Sequence, residues 1–177
     1  MTAEPLGRFF ATGHVAAPQA RPPLLRGVHE ADLPELERLE QEVFQDAAYP
    51  AFILRQFYEV YADHFLVLDN GTGSLHGYVL APPTPCGRDA WVLALCVALD
   101  RRSQGFGRAL MAAVLAHLCS MSIETVRLTV EPDNHPAIEL YHSLGFRVEE
   151  PYGGVRRDYF GRGEDRLVMS LALGPGH

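Results

Sequence analysis

From Leu24 onward the hydrophobic positions switch between a two-residue and a three-to-four-residue period, and the switches mark the elements. Leu24 to Val28 reads as a short strand. Leu33, Leu36, Leu39 and Val43 recur at helical spacing behind Asp32, which is placed to cap, with Pro34 in the first turn. Glu35, Glu37, Glu40 and Glu42 are expected on the solvated face of that helix. After a break at Tyr49-Pro50, Phe52 to Tyr61 reads as a second helix. His64 to Leu68 and Leu75 to Ala81 flank Asp69-Asn70-Gly71-Thr72-Gly73, a turn sequence that makes them a hairpin.

Beyond a proline-rich loop over 82–87, Trp91 to Val97 is almost wholly apolar, the pattern of a central strand covered on both faces. A helix follows over Phe106 to Ser120, then a strand over Thr125 to Glu131. Asn134 to Leu144 reads as a helix with Pro136 early and Gly145 at its C-terminal cap. Arg166 to Leu173 is a final strand. With no internal repeat and no linker, 24–173 is expected to be one α/β domain, preceded by a flexible Pro/Gly/Ala arm over 1–23 and followed by a tail over 174–177.

Composition narrows the chemistry. The chain has 177 residues, 47% hydrophobic, and at this length about 70% of the unfolded surface can be buried without staples. Cys86, Cys96 and Cys119 show no CxxC spacing, and His135 and His142 lack partners at ligand spacing, so no disulfide framework and no metal site are expected. A reducing cytoplasm suits this cysteine usage. Fifteen arginines face 22 acidic residues, a net charge of -7 that argues against nucleic acid. No lysine is present, which removes P-loop and Schiff-base chemistry. The longest apolar runs, near 91–99 and 109–123, fall short of the ~20 residues that span a bilayer, and the first 23 residues do not read as a signal peptide.

The most informative stretch is Arg102-Ser103-Gln104-Gly105-Phe106-Gly107-Arg108-Ala109, between the apolar strand and a helix. At such a turn, backbone N–H groups without intrahelical partners and the positive end of the helix dipole favour an anion. Gly105 and Gly107 admit close backbone approach, and Arg102 and Arg108 can add charge. Leu110 occupies the third glycine position of the dinucleotide fingerprint, so that reading fails. For an isolated pair of glycines, a plain tight turn is the alternative.

A second motif follows in Asn134-His135-Pro136-Ala137-Ile138-Glu139-Leu140-Tyr141-His142-Ser143-Leu144-Gly145-Phe146. Together, RxxGxG and NxxAxxxYxxxGF resemble the GCN5-related N-acetyltransferase (GNAT) superfamily over about Leu24 to Leu173. The resemblance implies a mixed, splayed central β-sheet flanked by helices, and acetyl-CoA as cofactor. Leu95, Cys96 and Val97 on the strand, Arg102 to Ala109 on the turn (Arg102, Ser103, Gln104, Gly105, Phe106, Gly107, Arg108, Ala109), and Asn134 and Tyr141 beyond would line it. Tyr141 matches the family tyrosine near the CoA sulfur and is assigned as general acid, its alternative being a core aromatic.

The general base departs from the family pattern. Trp91 stands where related enzymes often carry Glu or Tyr, and Thr129 where the ribosomal-protein N-terminal acetyltransferase branch often carries Glu or His. Alternation puts Glu131 on the Thr129 face, so Glu131 acting through water is the candidate base, with a solvated strand-end charge as the alternative. Asp46, His64 and His76 are weaker candidates. The closing segment Arg156-Arg157-Asp158-Tyr159-Phe160 through Glu164-Asp165 to Met169 resembles that same branch, placing Tyr159, with Phe44 and Tyr49 from the loop before Pro50, at the acceptor entrance beside Trp91 and Thr129. The expected function is acetyl transfer to a primary amine, a protein or peptide N-terminus first and a small amine or antibiotic second. A non-catalytic acyl-CoA-binding module is the third reading, and the protein is expected as a monomer or homodimer.

Overall fold

The computed structural model describes residues 22–149 and 154–174. The expected N-terminal arm and C-terminal tail lie almost wholly outside the described residues. Strand β1 (Leu24–Gly27) leads into α1 (Leu33–Phe44), α2 (Ala51–Tyr61) and a hairpin of β2 (Phe65–Asp69) and β3 (Leu75–Leu80). Next come β4 (Asp89–Val92), β5 (Ala94–Val97), α3 (Phe106–Ser120), β6 (Thr125–Val130) and α4 (His135–Ser143). The short strands β7 (Arg147–Val148) and β8 (Val155–Arg156) and the long β9 (Arg166–Ala172) complete the order. Strands β7 and β8 were not anticipated; two residues each carry no readable period.

The expected central strand over Trp91 to Val97 is two strands in two sheets. One sheet runs β1-β2-β3-β5, antiparallel throughout; the other runs β4-β6-β9-β7, with β8 also on β9 and only β4–β6 parallel. The switch is Leu93. Its N–H donates to Leu80 O at 2.9 Å although the register pairs Leu80 with Ala94, so two residues oppose one, a β-bulge. The bulge inverts the faces. β4 buries Ala90 and Val92 in one cluster with α3 and α4, whereas β5 buries Cys96 in another with α1 and α2 and turns Leu95 and Val97 toward the first. A strand buried on both faces was therefore the wrong expectation: Leu93 is exposed, and Trp91, Leu95 and Val97 are half-buried.

Helices cover opposite sides. Leu110, Met111, Val114 and Leu118 of α3 pack with Val126, Leu128 and Val130 of β6, while Leu36 and Leu39 of α1 and Leu54 of α2 pack with Phe65, Val67 and Leu80. β3 passes so close to β5 that a Cβ on Gly77 would lie 2.4 Å from Cys96 O. Two acidic residues depart from expectation. Asp32 occupies the cap position of α1, but its carboxylate takes a bidentate pair from Arg26 (2.7 and 2.8 Å) and the His29 N–H, leaving the helix without a side-chain cap. Glu40, expected in solvent, is 1% exposed. It lies four residues after Leu36 and three before Val43, on the apolar stripe, and that spacing was its readable signal.

Candidate active site

The bulge at Leu93 opens the site. Up to Val92 and Leu128, β4 and β6 are paired in parallel; beyond that point β5 follows β3, and the end of β6 follows β9. Ala98 N–H bonds His76 O at 2.9 Å, and alternation then aims the N–H groups of Ala94 and Cys96 toward β3 and those of Leu95 and Val97 away from it. Among the described residues no strand pairs with that outer edge of β5. The edge therefore presents backbone donors and acceptors to the gap. Cys96 faces neither: its side chain is buried on the α1–α2 side, where burial pushes the thiol up.

At the end of β5 the chain turns into α3 through Ser103 (φ +61°) and Gly105 (φ +82°), the latter a left-handed helix cap. The first bond of the helix runs from Ala109 N–H to Gly105 O at 3.0 Å, so the N–H groups of Phe106, Gly107 and Arg108 have no partner within it. Gly107 packs closely where α3 meets α4 and β5: a Cβ there would approach Leu140 Cδ2 at 3.3 Å and Val97 Cγ2 at 3.7 Å. Arg102 is exposed and makes no ion pair among the described residues. Arg108 donates to Ser143 Oγ at 2.6 Å, which ties the helix start to α4, and the Gln104 amide donates to Asp100 O.

Asn134 caps α4, its side chain accepting from Ala137 N–H. Two turns on, Tyr141 is 7% exposed and packs on Phe146 with ring centroids 5.9 Å apart. Its hydroxyl makes no hydrogen bond, yet no fully buried polar side-chain atom among the described residues lacks a partner, so that oxygen borders accessible space. Burial pushes the phenol up to about 12, which keeps it protonated at neutral pH.

The opposite face of β4 and β6 carries Trp91 and Thr129, both half-buried, with Arg127 between them held by Asp89 (2.8 Å) and Glu149 (2.7 Å). Glu131 lies just past the end of β6, exposed, with Arg166 at 3.5 Å. Tyr159 stacks edge-on against Phe160 at 4.8 Å, with Arg156 at 5.8 Å; Arg156 also reaches Glu149, so this segment joins the same polar face. Tyr49 packs edge-on against Phe57 and its hydroxyl donates to Leu93 O at 3.4 Å. Phe44 and Asp46 are exposed nearby in sequence.

The histidines go elsewhere. His64 is hydrogen-bonded to His117 near the end of α3 remote from the glycine turn, and burial with that neighbour holds its ring below the usual range. His76 stacks on Phe106 and lines an open cleft of about 280 Å³ with Arg38, Glu42 and Arg101. Sequence reasoning missed Glu40, Arg127 and Asp89. Among the described residues no cluster of three or more His, Cys, Asp or Glu is placed to hold a metal ion, and no helix is long and apolar enough to cross a membrane.

Comparison with known proteins places these features in a family. Mycothiol acetyltransferase of Saccharomonospora viridis is 34% identical over 96 residues, 50% of this chain and 31% of that protein. The [ribosomal protein bS18]-alanine N-acetyltransferase of Escherichia coli K12 is 35% identical over 89 residues, 48% of this chain and 57% of that protein. The matched segments thus span about a third and just over half of these relatives. Phosphinothricin acetyltransferase from Sinorhizobium meliloti, solved in complex with acetyl-CoA, superposes with a TM-score of 0.71 at 17% identity, covering 88% of this chain and 91% of that one. The acetyltransferase (GNAT) family pattern matches residues 27–146, and with a mixed sheet parting at Leu93 above a glycine-turn helix start, the chain belongs to the GNAT acetyltransferase family.

Proposed function

We propose that the protein transfers the acetyl group of acetyl-CoA directly to a primary amine, with a peptide N-terminus as acceptor. The observation that carries this reading is that three features border one cluster of Leu95, Val97, Phe106 and Tyr141: the free edge of β5, the N–H groups at the start of α3 without helical partners, and the Tyr141 hydroxyl. The donor set suits acetyl-CoA. Phe106, Gly107 and Arg108 offer backbone N–H groups to a pyrophosphate, with Arg102 free to add charge. Leu95 and Val97 offer edge groups to the amide-bearing arm.

Acetyl-CoA, when bound, supplies the activated acyl group. Edge N–H groups of β5 near the bulge polarise the acyl oxygen, a preorganised role that needs no side chain. Tyr141, protonated and facing accessible space, donates its proton to the departing sulfur. Glu131 takes the amine proton through water; its exposure keeps solvent within reach.

The peptide acceptor is supported by the polar face linking Arg127, Glu149 and Arg156 to Tyr159, and by the similarity to the bS18-alanine N-acetyltransferase. A small amine is the second reading, favoured by the mycothiol and phosphinothricin acetyltransferase likenesses. A third, non-catalytic acyl-CoA-binding module rests on Trp91 and Thr129 at the usual base positions. Thiol release from acetyl-CoA, measured with a short alanine-initiated peptide and with a small-amine panel, separates them. Faster release with the peptide is expected; faster release with a small amine reverses the order, and binding without release leaves the module.

A further inference from the structure

Glu40 is a buried carboxyl group that the proposed chemistry does not use. One of its oxygens accepts the Tyr49 N–H at 2.7 Å and the other accepts the Tyr78 hydroxyl. Burying a carboxylate is unfavourable unless its lone pairs find donors, and a leucine would suit the surrounding Leu36, Leu39 and Leu54 equally well. A leucine could not hold the Tyr49 amide. The loop between α1 and α2 is otherwise poorly tied: among the described residues, its remaining backbone bonds, from Ala48 to Gln45 and from Ile53 and Leu54 to Pro50, stay within the loop and α2. Gln45 at its start has a left-handed φ of +51°. Tyr49, so anchored, lays its ring on Phe57 and brings its hydroxyl to Leu93 O at the bulge. A continuous path thus joins Tyr78 on β3, Glu40 on α1, Tyr49 and the point where the sheets part.

We infer that Glu40 is a positioning residue for the acceptor side of the site: it fixes the loop backbone so that Tyr49 borders the opening at Leu93 and sets the passage by which the amine reaches the acyl group. The anchoring itself follows from the contacts; its consequence for the amine rests on the transferase reading above. Because productive attack tolerates little misplacement, loosening the loop acts on the acceptor and leaves the acetyl-CoA contacts of β5 and α3 intact.

The test combines amide hydrogen exchange at Tyr49 with kinetics on a short alanine-initiated peptide, for the wild type, Glu40→Leu, Glu40→Asp and Glu40→Gln. Leucine removes both bonds, aspartate withdraws the carboxylate by one methylene, and glutamine retains an acceptor for Tyr49 and a donor toward Tyr78. The expected result is faster Tyr49 exchange and a peptide KM raised about tenfold or more in the first two variants, with acetyl-CoA Kd within about twofold, and near-wild-type values in the third. Glu40→Asp keeps the test decisive if Glu40→Leu does not fold. Unchanged Tyr49 exchange in the altered proteins that fold overturns the anchoring. A peptide KM that stays put, or one that moves together with acetyl-CoA Kd, overturns the positioning role. If the wild type releases no thiol with any amine, the transferase reading fails instead, and the exchange data still decide the anchor.

Discussion

In the proposed chemistry Tyr141 is the proton donor, and its surroundings set its protonation state. A phenol raised to about 12 by burial holds its proton across the working range, so Tyr141→Phe is expected to lower kcat by about 10²-fold with little change in acetyl-CoA Kd. An unchanged kcat would remove the hydroxyl from the mechanism. The same shift has a sign for stability: a raised pKa contributes stability fully present below the unfolded value near 10 and lost as pH rises through about 12. Glu40 follows the same rule at the acid end. Burial pushes its carboxyl up, so its favourable contribution is complete only below the ordinary carboxylate range and is lost as pH rises through the folded value. Glu40→Gln should therefore compare best with the wild type at neutral pH and less well in acid, read from denaturation midpoints at both.

Elements are held in place by a few specific contacts. Arg26 joins β1 to Asp32 before α1 and to Asp69 at the end of β2, and it holds both carboxyls below their usual range. Arg26→Met should cost about 2 kcal/mol at pH 7, because two partly buried carboxylates lose their partner. The sign is that of a depressed pKa: stability present above about 3.9 and lost as pH falls through the folded values, so the difference between variant and wild type should shrink below pH 4. Gly77→Ala is expected to destabilise by about 2–4 kcal/mol, since its methyl would meet the Cys96 carbonyl and part β3 from β5. Gly107→Val should weaken acetyl-CoA binding by crowding Leu140 and Val97 and shifting the start of α3; unaltered affinity would refute the proposed phosphate and arm contacts. Helical and strand periods made the four α-helices and the main strands of the described residues readable, and the glycine motif was readable as a strand-to-helix turn. The division at Leu93 was not, because a bulge in an apolar run leaves no change in composition and shows only as a change of pairing partner. Glu40 and Asp32 misled for a related reason: an acidic letter reports charge, and its partners, Tyr78, Tyr49 and Arg26, are supplied by other elements.

On the scale of the whole molecule, two sheets meet at the bridge between Pro83 and Ala90 and part beyond Leu93. One face of the antiparallel sheet is covered by α1 and α2 and its other face by α3, whose cluster also takes in β6 and Tyr141 of α4, and among the described residues the outer edge of β5 beyond the bulge is unpaired. Family membership fits this architecture, and relatives whose names specify different acceptors show why the acceptor is read from local contacts and not from the fold. The central claim is that this junction binds acetyl-CoA and turns it over. Its most direct test is calorimetric titration of the purified protein with acetyl-CoA, followed in the same sample by thiol release on addition of an alanine-initiated peptide. The account predicts saturable binding and release of free CoA; absence of binding would contradict the assignment of the β5 edge and the α3 turn.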